Sequence, residues 1–248
     1  MAHDIGPSST RLAPMDLGTI LDQTARIYVG NFPVLVGASL LFHLPLLAIL
    51  SQMSFASPLR HVVVLFGSLV ALLVTSVSTR VVADRFHGVK RGIGAYMALA
   101  LSDFTRTFGT FFLVGLWVVL GLILLVVPGI FWSFTLMLAM PVALLEGVVG
   151  SDALVRSKVL IKNNRGKAVG AYVLALILYF GFTVMLGAGW GIAAATLFPG
   201  SSLLIVLGGE IIGYAVTPLM PIVIALIYFD FRVRYEGYDL EMLDKAAG

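Results

Sequence analysis

The chain has 248 residues, 59% of them hydrophobic and only 12% charged, with no cysteine. A soluble domain of ordinary composition carries about 25% charged residues, and the absence of cysteine excludes disulfides, thiolate nucleophiles and cysteine metal sites. The formal net charge of +3 would suggest nucleic acid in a soluble protein, but here the cations flank apolar stretches, so it reads as topology and contact with anionic lipid headgroups, with no nucleic-acid partner.

Residues 1–13 are polar and proline-containing, and read as a disordered tail. Asp16 is placed to cap a short helix in which Leu17, Ile20, Leu21, Thr24 and Tyr28 recur at helical spacing. This segment reads as an amphipathic helix lying in the interface. No cleavable signal is expected, because acidic and polar residues precede the first apolar run.

Asp, Glu, Lys and Arg are absent from Ile27–Leu59, His61–Thr79, Thr107–Leu145, Ala168–Gly209 and Ile211–Phe229. About 20 apolar residues in a helix cross the hydrocarbon layer. The expected spans are Pro33–Met53, His61–Val82, Phe108–Val127, Ile130–Leu145, Ala168–Leu197 and Leu203–Phe229, with a loop at Ser54–Arg60 and turns at Pro128-Gly129 and Pro199–Ser202. Pro218 and Pro221 would bend the last span. Two more short helices, Ile93–Arg106 and Ser151–Lys162, are expected beside the membrane. The fold class is all-α: a polytopic bundle of six transmembrane helices with three amphipathic helices on one side, forming a single domain over residues 14–236 and followed by a charged tail at 237–248.

With six crossings, 15 of the 16 Lys and Arg residues fall on one side and only Arg60 on the other. The positive side is cytoplasmic. Both termini are therefore expected inside, in a bacterial cytoplasmic (inner) membrane.

An internal pattern runs through these elements. Aligning Leu21, Leu99 and Leu154 brings Thr24, Ser102 and Ser157 together, and also Gly37, Gly115 and Gly170. Two readings stay open: three copies of a unit built as surface helix, span, turn, span, or coincidence among common residues.

Glu210 is the one acid between the charged segments, eight residues after Ser202 and so about a dozen Å deep. It is either a proton or cation site, or a protonated or hydrogen-bonded acid between helices, or a shallow acid whose first turns lie in the outer interface. His43, mid-span, could pair with Glu210 or bind a metal, but it has no second histidine at helical spacing, and a packed histidine is the plainer reading. Gly166/Gly170, Gly187/Gly191 and Gly209/Gly213 are spacings expected by chance among 26 glycines, but the two pairs within spans five and six suggest that those helices pack closely. No cofactor or metal is expected.

The run from Tyr228 to Glu241 is the most distinctive. Asp230 and Arg234 stand four apart and pair if the last helix continues beyond the membrane. Glu146 and Arg156 lie on the same side and could join them. This run, together with Val127-Pro128-Gly129-Ile130 leading to Pro141–Glu146, Ala153-Leu154-Val155-Arg156-Ser157 and Leu17–Phe32, resembles the bacterial glycerophosphoryl diester phosphodiesterase membrane domain family. Val155 departs from the basic residue usual there. The resemblance implies a six-helix membrane domain, not the soluble phosphodiesterase, whose His-Arg-Gly and Glu-x-Asp motifs are absent from the chain.

The expected function is therefore non-catalytic: a scaffold or accessory subunit contacting membrane lipids and a membrane-protein partner through surface residues Arg156, Ser157, Asp230, Arg232, Arg234 and Glu236. The alternative is a small transporter or channel using Glu210, with His43 beside its path. An intramembrane enzyme would need convergent nucleophile, base and stabilising groups, and neither HExxH nor GxSxG occurs.

Overall fold

A computed structural model describes residues 14–53, 57–162 and 164–237. The expected tails at 1–13 and beyond Gly237, and part of the loop at Ser54–Arg60, lie outside the described residues. Ten helices make up the described chain: α1 Leu17–Gly30, α2 Phe32–Ser51, α3 Pro58–Phe86, α4 Ile93–Leu124, α5 Val126–Thr135, α6 Ala139–Leu145, α7 Ser151–Lys162, α8 Arg165–Leu197, α9 Ser202–Val216 and α10 Leu219–Glu236.

Six segments are long and apolar enough to cross a membrane: α2, α3, α4, the pair α5–α6, α8 and the pair α9–α10. The chain is an all-α, multi-pass membrane protein. Its outward surface agrees with this: Leu65, Ile123 and Val127 are each more than 70% exposed, an apolar area that water would not tolerate.

Asp16 starts α1 by accepting the Thr19 N–H at 2.6 Å. The helix buries Ile20, Thr24 and Ile27, while Asp22 and Arg26 pair at 2.7 Å on its outer face. Pro33 in the first turn of α2 then suits a new helix start.

Three boundaries differ from the sequence expectation. The short helix at Ile93–Arg106 is not separate, since α4 runs unbroken from Ile93 into the third span. Nothing between Arg106 and Phe108 stops a helix; a charged segment alone does not. The turn after that span falls at Leu125, which is extended at φ −164° and ψ 145°, and Pro128-Gly129 lies in the opening turns of α5. Gly129 serves a close approach instead. A methyl group on Gly121 would lie 2.7 Å from the Gly129 Cα, and one on Gly129 would lie 2.6 Å from the Leu122 nitrogen. Finally, the fourth span is two helices, interrupted at Leu136–Leu138. The sixth is also interrupted, at Thr217-Pro218, where proline was expected to bend it.

The core gathers at the end of the bundle that carries the cations. There α10 is enclosed almost all round, with Ile222, Ala225, Leu226 and Phe231 fully buried against α1, α3, α6, α7 and α8. A helix apolar on every side belongs at such a centre. The order helix, span, span is found at α1–α3 and again from α7 onward, while in the middle unit the short helix is continuous with its span as α4. The aligned residues do not share surroundings: Thr24 and Ser157 are buried while Ser102 is exposed.

Candidate functional site

The last two turns of α10 organise the basic end. Residues four apart share a helix face, so Asp230 and Arg234 point one way, while Tyr228, Arg232 and Glu236 point another.

Asp230 is fully buried. Its Oδ1 accepts from the Met15 N–H at 2.6 Å and from Arg234 Nε at 3.0 Å; its Oδ2 accepts from Lys167 Nζ at 2.6 Å. The Met15 carbonyl accepts from Arg234 Nη2 at 2.8 Å and also from Lys167 Nζ. One carboxylate therefore fastens the entrance of α1, the start of α8 and the end of α10. A buried charge is tolerated only when paired and hydrogen-bonded in this way.

Beside it lies a second cluster. Arg156 of α7 grips Glu146 with two bonds, Nε to Oε2 at 2.9 Å and Nη2 to Oε1 at 3.2 Å, and reaches Glu236 at 2.6 Å. Arg232 pairs with Glu236 at 2.7 Å and approaches Glu146 at 3.6 Å. The Tyr228 hydroxyl donates to Glu146 Oε1 at 3.0 Å and accepts from Arg232 Nη1 at 3.2 Å. Two carboxylates and two guanidinium groups balance. The carboxylates of Glu236 and Glu146 hold the Arg156 guanidinium protonated well above its ordinary range.

The i, i+4 pairing of Asp230 with Arg234 and the joining of Glu146 and Arg156 to the tail are thus both present. Ser157 and Asp230 correct the expectation of surface residues. Ser157 is fully buried on the inner face of α7, with Ala153, Leu154 and Ile161, and donates to the Thr135 carbonyl at 2.8 Å, beside the α5–α6 interruption. Asp230 is enclosed because two cations, Lys167 of α8 and Arg234 of α10, and the Met15 N–H before α1 converge on it.

A third cluster was not foreseen. Asp103 of α4, 5% exposed, accepts from Arg80 Nε at 2.6 Å and from Ser76 Oγ at 3.1 Å on α3. The signal available in the sequence was Ser76 and Arg80 four apart at the end of one uncharged stretch, with Asp103 just before the next.

At the opposite end, Glu210 faces Arg60 at 4.0 Å across a cavity of about 40 Å³ lined also by Leu47, Leu50 and Leu207. Arg60 Nη1 also donates to the Leu50 carbonyl at 3.0 Å. His43 makes no pair with Glu210. Its Nδ1 lies 2.7 Å from the Ser39 carbonyl, and its ring stacks on Tyr214 at 4.1 Å between centroids. Among the described residues no group of three His, Cys, Asp or Glu side chains could hold a metal ion.

Spans five and six do pack together, but not through the predicted glycine pairs: methyl groups on Gly187, Gly191, Gly209 or Gly213 would meet nothing within 4 Å. Gly208 makes the close approach, lying under the Trp190 ring, whose Nε1 donates to the Leu204 carbonyl at 3.1 Å.

An open apolar cavity of about 500 Å³ lies between the helices, with Thr75, Leu136, Met137, Tyr179, Thr217 and Met220 on its walls. Both helix interruptions border it. Compared with family models, with curated proteins and with solved structures, the chain matches none.

Proposed function

We propose that this chain is a non-catalytic scaffold or accessory subunit of a bacterial cytoplasmic membrane, with both termini in the cytoplasm and a platform on that face that meets lipids and a membrane-protein partner. The observation that carries the reading is the mutual engagement of Glu146, Arg156, Arg232 and Glu236. Charges that neutralise one another across three helices fix a surface in shape and are poorly disposed to take up and release a substrate. The gathering of cations at the same end supports the orientation. The likeness of the Tyr228–Glu241 run to the glycerophosphoryl diester phosphodiesterase membrane domain family points the same way, toward a membrane module without that enzyme's chemistry. Arg156, Arg232, Arg234 and Glu236 are the partner-facing candidates; Ser157 and Asp230 support them from within.

Pull-down of the tagged protein from membranes in mild detergent, with identification of the retained proteins and lipids, tests this. A stable partner lost in Arg156→Ala and Glu236→Ala variants is the expected result. No stable partner, together with uptake of a solute in proteoliposomes, overturns it.

A second reading is favoured by the two interrupted spans that border the same cavity. Discontinuous helices around a midplane cavity are a common arrangement in transporters. On that reading the chain is a small transporter, and uptake that fails in Glu210→Gln would bring Glu210 into its path.

A further inference from the structure

A groove of about 380 Å³ lies at the basic end, between the α1–α2 junction and the connection from α3 to α4. Asn31, Arg85, Gly88, Lys90, Arg91 and Tyr96 are among its walls. Arg91 is fixed by Asp84 at 2.7 Å, while Arg85 and Lys90 are exposed. Three cations against one carboxylate leave the groove with an excess of two positive charges. Helix α4 opens beside it from Gly92, with no side chain capping its first turn, and so adds the positive end of its dipole.

The rim is apolar. Val29 is 72% and Phe32 48% exposed where the chain passes from α1 to α2, and Val89 is exposed within the connection. The groove stands where the uncharged stretch Ile27–Leu59 begins, and beyond the charged ends of α3 and α4. A pocket rich in cations with hydrocarbon-like walls beside it matches a molecule that is anionic at one end and apolar at the other. A nucleic acid would leave Val29 and Phe32 in water. A zwitterionic lipid would bring its own cation against Arg85 and Lys90.

We propose that this groove binds the phosphate headgroup of an anionic glycerophospholipid, with its acyl chains lying over Val29 and Phe32. Basic pockets between spans are known to hold such headgroups. The inference deepens the lipid contact of the proposed function and needs neither a protein partner nor a given orientation, so it can fail or stand independently of them.

The test uses the full chain in detergent, titrated with fluorescent short-chain phosphatidylglycerol, with short-chain phosphatidylcholine, and with inorganic phosphate as competitor. Each cation near a headgroup is worth roughly fivefold in binding, so Arg85→Gln/Lys90→Gln should weaken phosphatidylglycerol by about tenfold or more and leave phosphatidylcholine unchanged. Lys158→Gln/Lys162→Gln, which removes two exposed cations of α7, should leave both unchanged. All variants are compared at equal helicity by circular dichroism. Equal binding of the two lipids, or an equal loss in the α7 variant, overturns the proposal. Inorganic phosphate competing as well as the lipid would overturn it in favour of a soluble anion.

Discussion

Lys167 Nζ lies 2.6 Å from Asp230 Oδ2, and the carboxylate it meets has no exposed surface. Removing one partner of a buried pair leaves the other uncompensated, at a cost of about 3–5 kcal/mol. Asp230→Asn should therefore lower the thermal stability of the purified protein by that order. It should also loosen α1, because the Met15 N–H bonds to the same carboxylate. The chain lacks cysteine, so an Ala25→Cys substitution on the exposed face of α1 supplies a single site for a mobility probe. Faster probe motion in Asp230→Asn than in the parent is the expected outcome. Unchanged motion and stability would show the pair to be incidental.

Arg156 holds Glu146 by two parallel bonds and Glu236 by a third contact. A lysine carries the charge but not the planar fork. Arg156→Lys should destabilise by about 1–2 kcal/mol, and its effect should not add to that of Glu236→Gln. A double-mutant cycle in thermal unfolding measures the coupling. Full additivity would mean that the cluster does not act as a unit.

The parts of this architecture that were legible in the sequence are those set by composition over length. Uncharged stretches of membrane-spanning size gave six crossings, and Pro218 announced an interruption in the last. The i, i+4 relation of Asp230 to Arg234 was readable because both stand on one helix. The rest depends on which segments meet. The break at Leu136–Leu138 has a marker that is easily passed over: Pro141 has no N–H for the Met137 carbonyl four residues back, and beside it Ser157 from another helix takes up the Thr135 carbonyl. Asp230 read as exposed because its principal partners, Lys167 and Met15, are distant in the chain, with separations of 63 and 215 residues. Asp103 went unnoticed for the same reason: Arg80 and Ser76 belong to another helix. Glycine was legible as a sign of close approach but not of where. Gly121, Gly129 and Gly208 make such contacts, while the evenly spaced pairs do not.

The α4–α5 hairpin yields a direct steric prediction. A methyl group on Gly129 would stand 2.6 Å from the Leu122 nitrogen, which is backbone and cannot swing aside. Gly129→Ala should cost about 1–3 kcal/mol through separation of the two helices. Gly187→Ala, where the added carbon meets nothing within 4 Å, serves as the control and should be neutral or slightly stabilising through helix propensity. Comparison of the two unfolding temperatures in one detergent decides the matter; equal behaviour would mean that the hairpin is not closely packed at Gly129.

Asp16 gives the chain a pH-dependent joint at the start of α1. Its carboxylate accepts the Thr19 N–H, and that bond holds its pKa below the ordinary carboxylate value. A group whose folded pKa is depressed stabilises the fold fully above its unfolded value, about 4, and loses that contribution as pH falls through the lower folded value. Mild acid should therefore free the first turn of α1 progressively below about pH 4. Asparagine caps about as well as aspartate but does not titrate, so Asp16→Asn should hold the turn at neutral pH and remove this part of the acid response. Asp16→Ala should loosen the turn at every pH. The three proteins differ only at position 16, so the comparison isolates the cap. The probe at position 25 reads the difference, and an identical acid profile for the parent and Asp16→Asn would show that the cap carries none of the response.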